Sequence, residues 1–502
     1  VGFFGPVTRA RYLLICWAAL VGVQIVTPLW YATPDACGYL SIARSLTSGE
    51  APTYLGSRNL VFGIGYPTLI APAFLFSATP FLLVTTINAA LAAIYLAGVV
   101  TWARRHAGAA AWPIAIIAVA NIVVLALFRR ALSEAAFMAA MIWFVVLLPD
   151  FPRPPRRRDL AAAAVLLIAL VLVRPTGILF GAGWALVLAY RVRARTISFR
   201  RAVGQAAVVI VPAALILAAA LAYSRAMEAR ENAVAWSNLD VFTRSARSPA
   251  TDFPAGPLAM QCVEGLRVRI SEVGRLTIPG MFASYGRAGD WRDPNLLVYL
   301  PLFVCLGAGW WKAVRRRPDA YLLTFPLYFA LHVYWPFNQG GRYFAPLLPL
   351  FLLCFWRALD ARPAWRWPLV RVMIAAHLAV ALGQWLAVDR PAALRQARDW
   401  ADIGRLSERM RTGRGVVQMS CGNDAAQLQL AFLLDRSVRS LPESAPVDAD
   451  VGWLVLPSGA GPPDGFASEI TSGPYQLLRR ASACQPSPES SPRSPEKPAP
   501  AQ

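Results

Sequence analysis

Asp35 follows Thr33-Pro34 and precedes Ala36-Cys37-Gly38-Tyr39, close behind the first apolar run of the chain. A carboxylate there can accept a proton from a hydroxyl nucleophile that comes within hydrogen-bond reach. The plainer alternative is that an acid in a first helical turn favours the helix dipole, an effect worth about 0.3–1 kcal/mol. Further on lie Gly65-Tyr66-Pro67, Arg129-Arg130-Ala131-Leu132-Ser133-Glu134, Arg174-Pro175-Thr176-Gly177 and Asn338-Gln339-Gly340-Gly341-Arg342-Tyr343. Arginine deep in a bilayer costs roughly 2.5–3.5 kcal/mol on insertion scales, so arginines at the ends of apolar runs often mark a substrate path or a buried partner. A guanidinium fork binds phosphate at two points, which suits Arg174 and Arg342 to an anionic lipid head group. Snorkelling to the water interface is the competing account for these two, and the favoured one for Arg129 and Arg130. Ser133 and Glu134 also fit an N-cap and a first-turn acid for the helix that follows.

The elements that must position these residues are apolar helices. The 502-residue chain is 57% hydrophobic and 15% charged, too apolar for a chain whose whole surface must be wetted. Its net charge of +21 sits in short clusters between apolar runs and not on one face or arm, which argues against nucleic acid as a partner. Runs long enough to span a bilayer, or nearly so, cover 12–30, 80–103, 112–128, 131–149, 159–173, 177–190, 202–223, 294–311, 319–337, 343–358 and 368–388. With the N-terminus in the cytoplasm, alternate loops carry Arg9 and Arg11, Arg104 and Arg105, Arg153 with 156–158, 191–201, Lys312 with 315–317, and Arg357 to Arg366. That alternation satisfies the positive-inside rule. The first run lacks a small-residue cleavage site and is expected to be a retained anchor.

The expected architecture is therefore an all-α polytopic membrane protein of about 11 transmembrane helices, with outer-face loops and a small C-terminal α/β extension. Residues 1–389 form the transmembrane domain, with outer loops at 31–79 and 224–293. Residues 390–484 form a small extracytoplasmic domain, and 485–502, rich in Pro, Ser and Glu, a disordered tail. Within the first outer loop, Thr33 as N-cap, Pro34 in the first turn and Gly49 as stop predict a short surface helix over 34–48. The apolar stretch 68–76 is too short to cross and is expected to be interfacial or re-entrant. Seven cysteines form no CxxC and three histidines are scattered, so no zinc or haem spacing appears. Cys421 and Cys484 have the option of pairing in an oxidising compartment.

Taken in order, the motifs resemble the GT-C superfamily of membrane glycosyltransferases, which draw sugars from polyprenyl-phosphate carriers. They resemble its glycosyltransferase family 39-like branch of protein O-mannosyltransferases and aminoarabinose lipid A transferases. The residues that carry this are Pro34-Asp35 with Tyr39 and Ala43, Gly65-Tyr66-Pro67, Ser133-Glu134, Arg174-Pro175-x-Gly177, and Arg342-Tyr343 with Pro346 and Pro349. Roughly residues 10–350 are covered, each motif being short and their order giving the specificity.

The resemblance implies a multi-pass protein of the cell inner (cytoplasmic) membrane acting at its outer face. Its donor would be a polyprenyl-phosphate sugar, either hexosyl or pentosyl, and its acceptor a hydroxyl of unknown origin. Asp35 would be the catalytic base and Glu134 an orienting acid. Arg174 and Arg342 would bind phosphate, while Tyr39, Tyr66 and Tyr343 bind substrate. Direct displacement would invert the anomeric centre, unlike the two-carboxylate retaining scheme. Many members carry a second acid beside the first. Here Ala36 follows Asp35, which does not match a paired-carboxylate or metal-assisted version; no cofactor is certain, and a divalent metal is compatible but unsupported. A polytopic lipid or glycan transporter or flippase is the alternative, although the interiors of the runs are nearly free of charge whereas a translocation path needs ionisable groups.

Overall fold

The computed structural model describes residues 21–29, 31–54, 57–58, 63–148, 155–231, 258–278, 295–335, 341–361, 363–411, 416–419, 424–434, 438–440, 447 and 450–480. Most of the first apolar run, much of the 224–293 loop, Cys421, Cys484 and the 485–502 tail lie outside these residues. Two compact units appear, Val1–Leu394 and Arg395–Gln502.

The first unit is helical. Its elements are α1 (Pro34–Thr47), the β1–β2 hairpin (Thr53–Tyr54 and Ser57–Arg58), α2 (Gly65–Ile70), α3 (Phe81–Ala107), α4 (Ala111–Ala120), α5 (Ile122–Arg129), α6 (Glu134–Leu147), α7 (Arg157–Val173) and α8 (Ile178–Arg193). These are followed by α9 (Phe199–Glu231), α10 (Leu258–Thr277), α11 (Leu296–Arg316), α12 (Ala320–Val333), α13 (Leu348–Ala358) and α14 (Pro363–Gln384). Each apolar run expected from residue 80 onward coincides with helix. Among the described residues, five helical stretches are long and apolar enough to cross a membrane, or six with the bent pair α5–α6 counted as one span; α12 and Ala345–Ala358 are shorter apolar helices. The protein is thus a polytopic membrane protein. Helix α15 (Arg390–Met410) follows α14.

Local chemistry explains the elements that carry the motifs. In α1 the Thr33 hydroxyl accepts from Ala36 N, Pro34 stands in the first turn, and Asp35 follows it. The helix stops where Gly49, at φ +72°, lets Gly49 N reach Leu46 O (3.2 Å) and Glu50 N reach Ser45 O (3.0 Å), a Schellman motif. The 68–76 stretch is a short helix continued by a 3₁₀ segment over Ala71–Leu75. Asn121 breaks the run of α4 into α5. Its side-chain oxygen caps Val123 N at 3.0 Å while its amide donates to Leu276 O on α10 at 2.8 Å. Between α5 and α6 the chain bends by 114°, which turns 130–133 into a corner at one end of both helices.

Glycines bring the backbone of the first loop onto that same end. A Cβ on Gly63 would lie 2.5 Å from Leu172 O, one on Gly65 2.8 Å from Val173 N, and one on Gly177 2.7 Å from the Leu170 carbonyl carbon. Backbone obstructs each of them, so α2 and the turn at 174–177 can close on the end of α7 only without side chains. Gly65→Ala is expected to destabilise the protein by about 1–3 kcal/mol through overpacking, read as a lower unfolding temperature in detergent. An unchanged temperature would show that α2 does not need this approach.

The second unit contains β3 (Val416–Met419), α16 (Asp424–Leu434), β4 (Val438–Ser440), β5 (Val451–Pro457), β6 (Phe466–Ser472) and β7 (Tyr475–Arg480). The strands form one sheet in the order β4-β3-β5-β7-β6, with β3 parallel to β4 and β5, and β7 antiparallel to β5 and β6. Val451, Leu454, Phe466 and Leu478 form a buried apolar cluster on this sheet.

Candidate active site

The corner between α5 and α6, the start of α1, the turn after α7 and the turn before α13 meet around one buried carboxylate. Glu134, the first residue of α6, is fully buried, and its Oε1 accepts from Arg174 Nη2 at 2.5 Å and from Arg342 Nε. Arg342 extends its other arm to Asp35, with Nη1 to Oδ2 at 2.5 Å. Two acids and two arginines, drawn from four separate stretches of chain, thus form a charge-balanced network. Burial alone would lower the Arg342 pKa, but Glu134 and then Asp35 hold it above the ordinary arginine value. Within the network Asp35 is the open member: its side chain is 35% exposed, against 17% for Arg342 and 1% for Glu134.

Ser133 is the hub that sequence reasoning missed. It stands at the N-cap position of α6, yet its hydroxyl makes no capping bond. The oxygen accepts instead from Tyr39 OH at 2.8 Å and from Arg174 Nε at 3.0 Å. Tyr39 is buried, and burial pushes its phenol up to about 12, so it stays protonated and donates. The Tyr66 ring meets Tyr39 edge-on at 5.5 Å and is itself fully buried, its OH donating to Asn88 Oδ1 at 3.0 Å. Asn88 in turn donates to Arg130 O at 2.8 Å, tying α3 to the corner. The only sequence signal for Asn88 was an amide within an apolar run, where polar groups hydrogen-bond across helices.

Tyr343 lies beneath Arg174, whose guanidinium carbon is 5.7 Å from the ring centroid. Its ring is flanked by His332 at 5.0 Å and by Trp335 at 5.9 Å, the latter perpendicular. These flanking residues are fixed from α10 by the fully buried Arg269. Its guanidinium donates to His332 O (2.8 Å) and Trp335 O (2.7 Å) and pairs with Glu272 at 2.6 Å. The Arg342 turn itself depends on Gly341, whose φ of +84° lets its carbonyl accept from both Phe344 N and Ala345 N.

Arg129 does not join this network. It is 4% exposed, pairs with Asp389 at 2.5 Å, donates to Gln24 O at 2.9 Å and lies over the Tyr31 ring at 5.5 Å. Snorkelling therefore does not describe it: a partly buried carboxylate and the carbonyl of the buried Gln24, not water, satisfy the guanidinium. Among the described residues no group of three or more His, Cys, Asp or Glu side chains is arranged to hold a metal ion.

A helical membrane unit that gathers Asp35, Glu134, Arg174 and Arg342 at one end, followed by a small sheet-containing unit, defines the class. In fold the chain is similar to the GT-C membrane glycosyltransferases. In particular, the chain is similar to ArnT from Cupriavidus metallidurans. It superposes on the apo form with a TM-score of 0.58 at 13% identity, over 96% of this chain and 100% of that one. It superposes on the form bound to undecaprenyl phosphate with a TM-score of 0.57 at 13% identity, over 95% and 99%. The archaeal oligosaccharyltransferase AglB from Archaeoglobus fulgidus gives a TM-score of 0.49 at 14% identity, over 89% of this chain and 70% of that one. No protein-family model matches the chain, and no curated protein matches it by sequence.

Proposed function

We propose that the protein transfers a sugar, hexosyl or pentosyl, from a polyprenyl-phosphate donor to an acceptor hydroxyl at the outer face of the cytoplasmic membrane, with inversion. The observation that carries this is the pairing of a half-exposed carboxylate, Asp35, with an arginine, Arg342, that a second acid already orients. The ArnT fold, solved with undecaprenyl phosphate, supports the donor class. In this scheme Asp35 takes the proton of the acceptor hydroxyl as its oxygen attacks the anomeric carbon. The bond to phosphate breaks, and the polyprenyl phosphate leaves as an anion already stable without a general acid. Arg342 and Arg174 stabilise the charge on the departing phosphate. Glu134 holds both guanidiniums in place beforehand, Tyr39 reaches Arg174 through Ser133, Tyr343 lies under Arg174, and Tyr66 braces Tyr39.

We further assign about eleven crossings, a cytoplasmic N-terminus and an extracytoplasmic unit after residue 389. What supports this orientation is that Asp35 and Arg342 lie at one end of the helices, while Arg105, Arg317 and Arg357 lie at the other, bonded to Val146 O, Arg105 O and His106 O respectively.

Transfer is tested by supplying proteoliposomes with undecaprenyl-phosphate sugars and following the release of polyprenyl phosphate. Arg342→Ala is expected to raise the apparent KM for the donor by about tenfold to a hundredfold, the equivalent of one charge-assisted hydrogen bond pair, and to leave acceptor preference unchanged. An unchanged donor kcat/KM would remove the phosphate role. Comparing cell-envelope glycans by mass spectrometry, with and without the gene product, would name the sugar and the acceptor.

A further inference from the structure

At the end of the helical unit away from Asp35, three arginines gather on one aspartate. Asp360, in the short 3₁₀ turn after α13, pairs with Arg366 and lies 3.2 Å from Arg316 and 3.7 Å from Arg357. The Arg366 guanidinium also stacks on the Trp356 ring at 3.9 Å, and Trp367 meets Trp356 edge-on at 5.2 Å. The cluster differs from the Asp35 network in its charge balance. There two acids match two arginines, whereas here a single carboxylate faces three guanidiniums and leaves a surplus of two positive charges. Buried donors are also left over: Arg357 Nε and Arg366 Nε have no hydrogen-bond acceptor among the described residues. Arg316, by contrast, is 59% exposed, so the cluster is open on one side.

We infer that this cluster binds the phosphate of an anionic phospholipid head group, with Arg316 and Arg366 as its principal donors. A phosphodiester supplies both the missing negative charge and the acceptors that the guanidinium forks lack. A lipid, and not a soluble anion, is indicated by the surroundings. Trp367 is 40% exposed beside the cluster, indoles favour the head-group level, and α14 continues from it with the exposed Val372 available to acyl chains. Juxtamembrane arginines near an anionic surface each contribute about 1 kcal/mol of attraction. The site would tie the α13–α14 turn to the bilayer, independently of sugar transfer.

The test uses the purified full chain in zwitterionic detergent, titrated with short-chain phosphatidylglycerol, phosphatidylcholine or inorganic phosphate, with bound lipid counted by native mass spectrometry. Phosphatidylglycerol is expected to bind, phosphatidylcholine to bind far less, and inorganic phosphate not to compete at millimolar concentration. Arg316→Gln alone, at an exposed position, is expected to weaken phosphatidylglycerol about fivefold, and the Arg316→Gln/Arg366→Gln pair about fivefold again. Equal retention by wild type and Arg316→Gln overturns the inference, as does equal binding of the two lipids. Effective competition by inorganic phosphate would make this a free-anion site and overturn the lipid assignment. The Asp35→Asn protein is expected to bind phosphatidylglycerol as wild type does, so loss of transfer and loss of lipid binding are separate failures.

Discussion

Asp35→Asn is expected to lower sugar transfer by about 10²- to 10⁴-fold, the range that general-base catalysis contributes, while the protein stays folded in the membrane. The substitution keeps size and shape, and its remaining amide oxygen can still accept from Arg342 Nη1, so the 2.5 Å contact is weakened and not emptied. What is lost is the group that removes the acceptor proton. The competing account, a first-turn acid serving only the dipole of α1, predicts a stability loss of about 0.3–1 kcal/mol and full activity. The two accounts thus separate on one pair of measurements, turnover of a labelled polyprenyl-phosphate sugar in proteoliposomes and thermal unfolding of the same preparation. Transfer within a few-fold of wild type would end the base assignment. It would also favour a noncatalytic or translocating protein, since neither needs Asp35 as a base.

How much of this was legible in the sequence depended on whether the cause was local. The α1 boundaries were legible because Thr33, Pro34 and Gly49 act within a turn of themselves. The apolar runs were legible because a bilayer imposes length on composition. The arginines could be singled out because charge at a helix end in an apolar chain demands a partner, and Arg174 and Arg342 have found acidic ones. Ser133 was not legible in the same way. A serine before a helix reads as a cap, and only the tertiary fold shows its hydroxyl diverted to Tyr39 and Arg174. Nor was α10, which lies inside what reads as a polar loop. It becomes a structural element because Arg269 buries itself against the carbonyls that end α12. Tyr66 shows the converse limit. Its motif marked the right place, yet the side chain is packed beneath Tyr39 and bonded to Asn88, which sequence spacing does not reveal.

Glu134→Ala is expected to be the most destabilising single change at the site, costing roughly 3–5 kcal/mol, because it removes the carboxylate that Arg174 and Arg342 share and leaves two guanidiniums in a buried place with Asp35 alone. The penalty arises from what remains, not from the pair as such, since burying a matched ion pair is close to neutral while burying an unmatched charge is not. Removing one arginine as well should therefore restore much of the loss. Glu134→Ala/Arg174→Met is expected to unfold at a higher temperature than Glu134→Ala, Met replacing the arginine stem against Tyr343. Transfer should return in neither protein, because the guanidinium that steadies the leaving phosphate is misplaced in one and absent in the other. If the double variant proves no more stable than the single, the arginines are not what Glu134 holds in check. If the double variant regains transfer, Arg174 has no part in handling the donor phosphate, and Arg342 alone must serve both Asp35 and the leaving group.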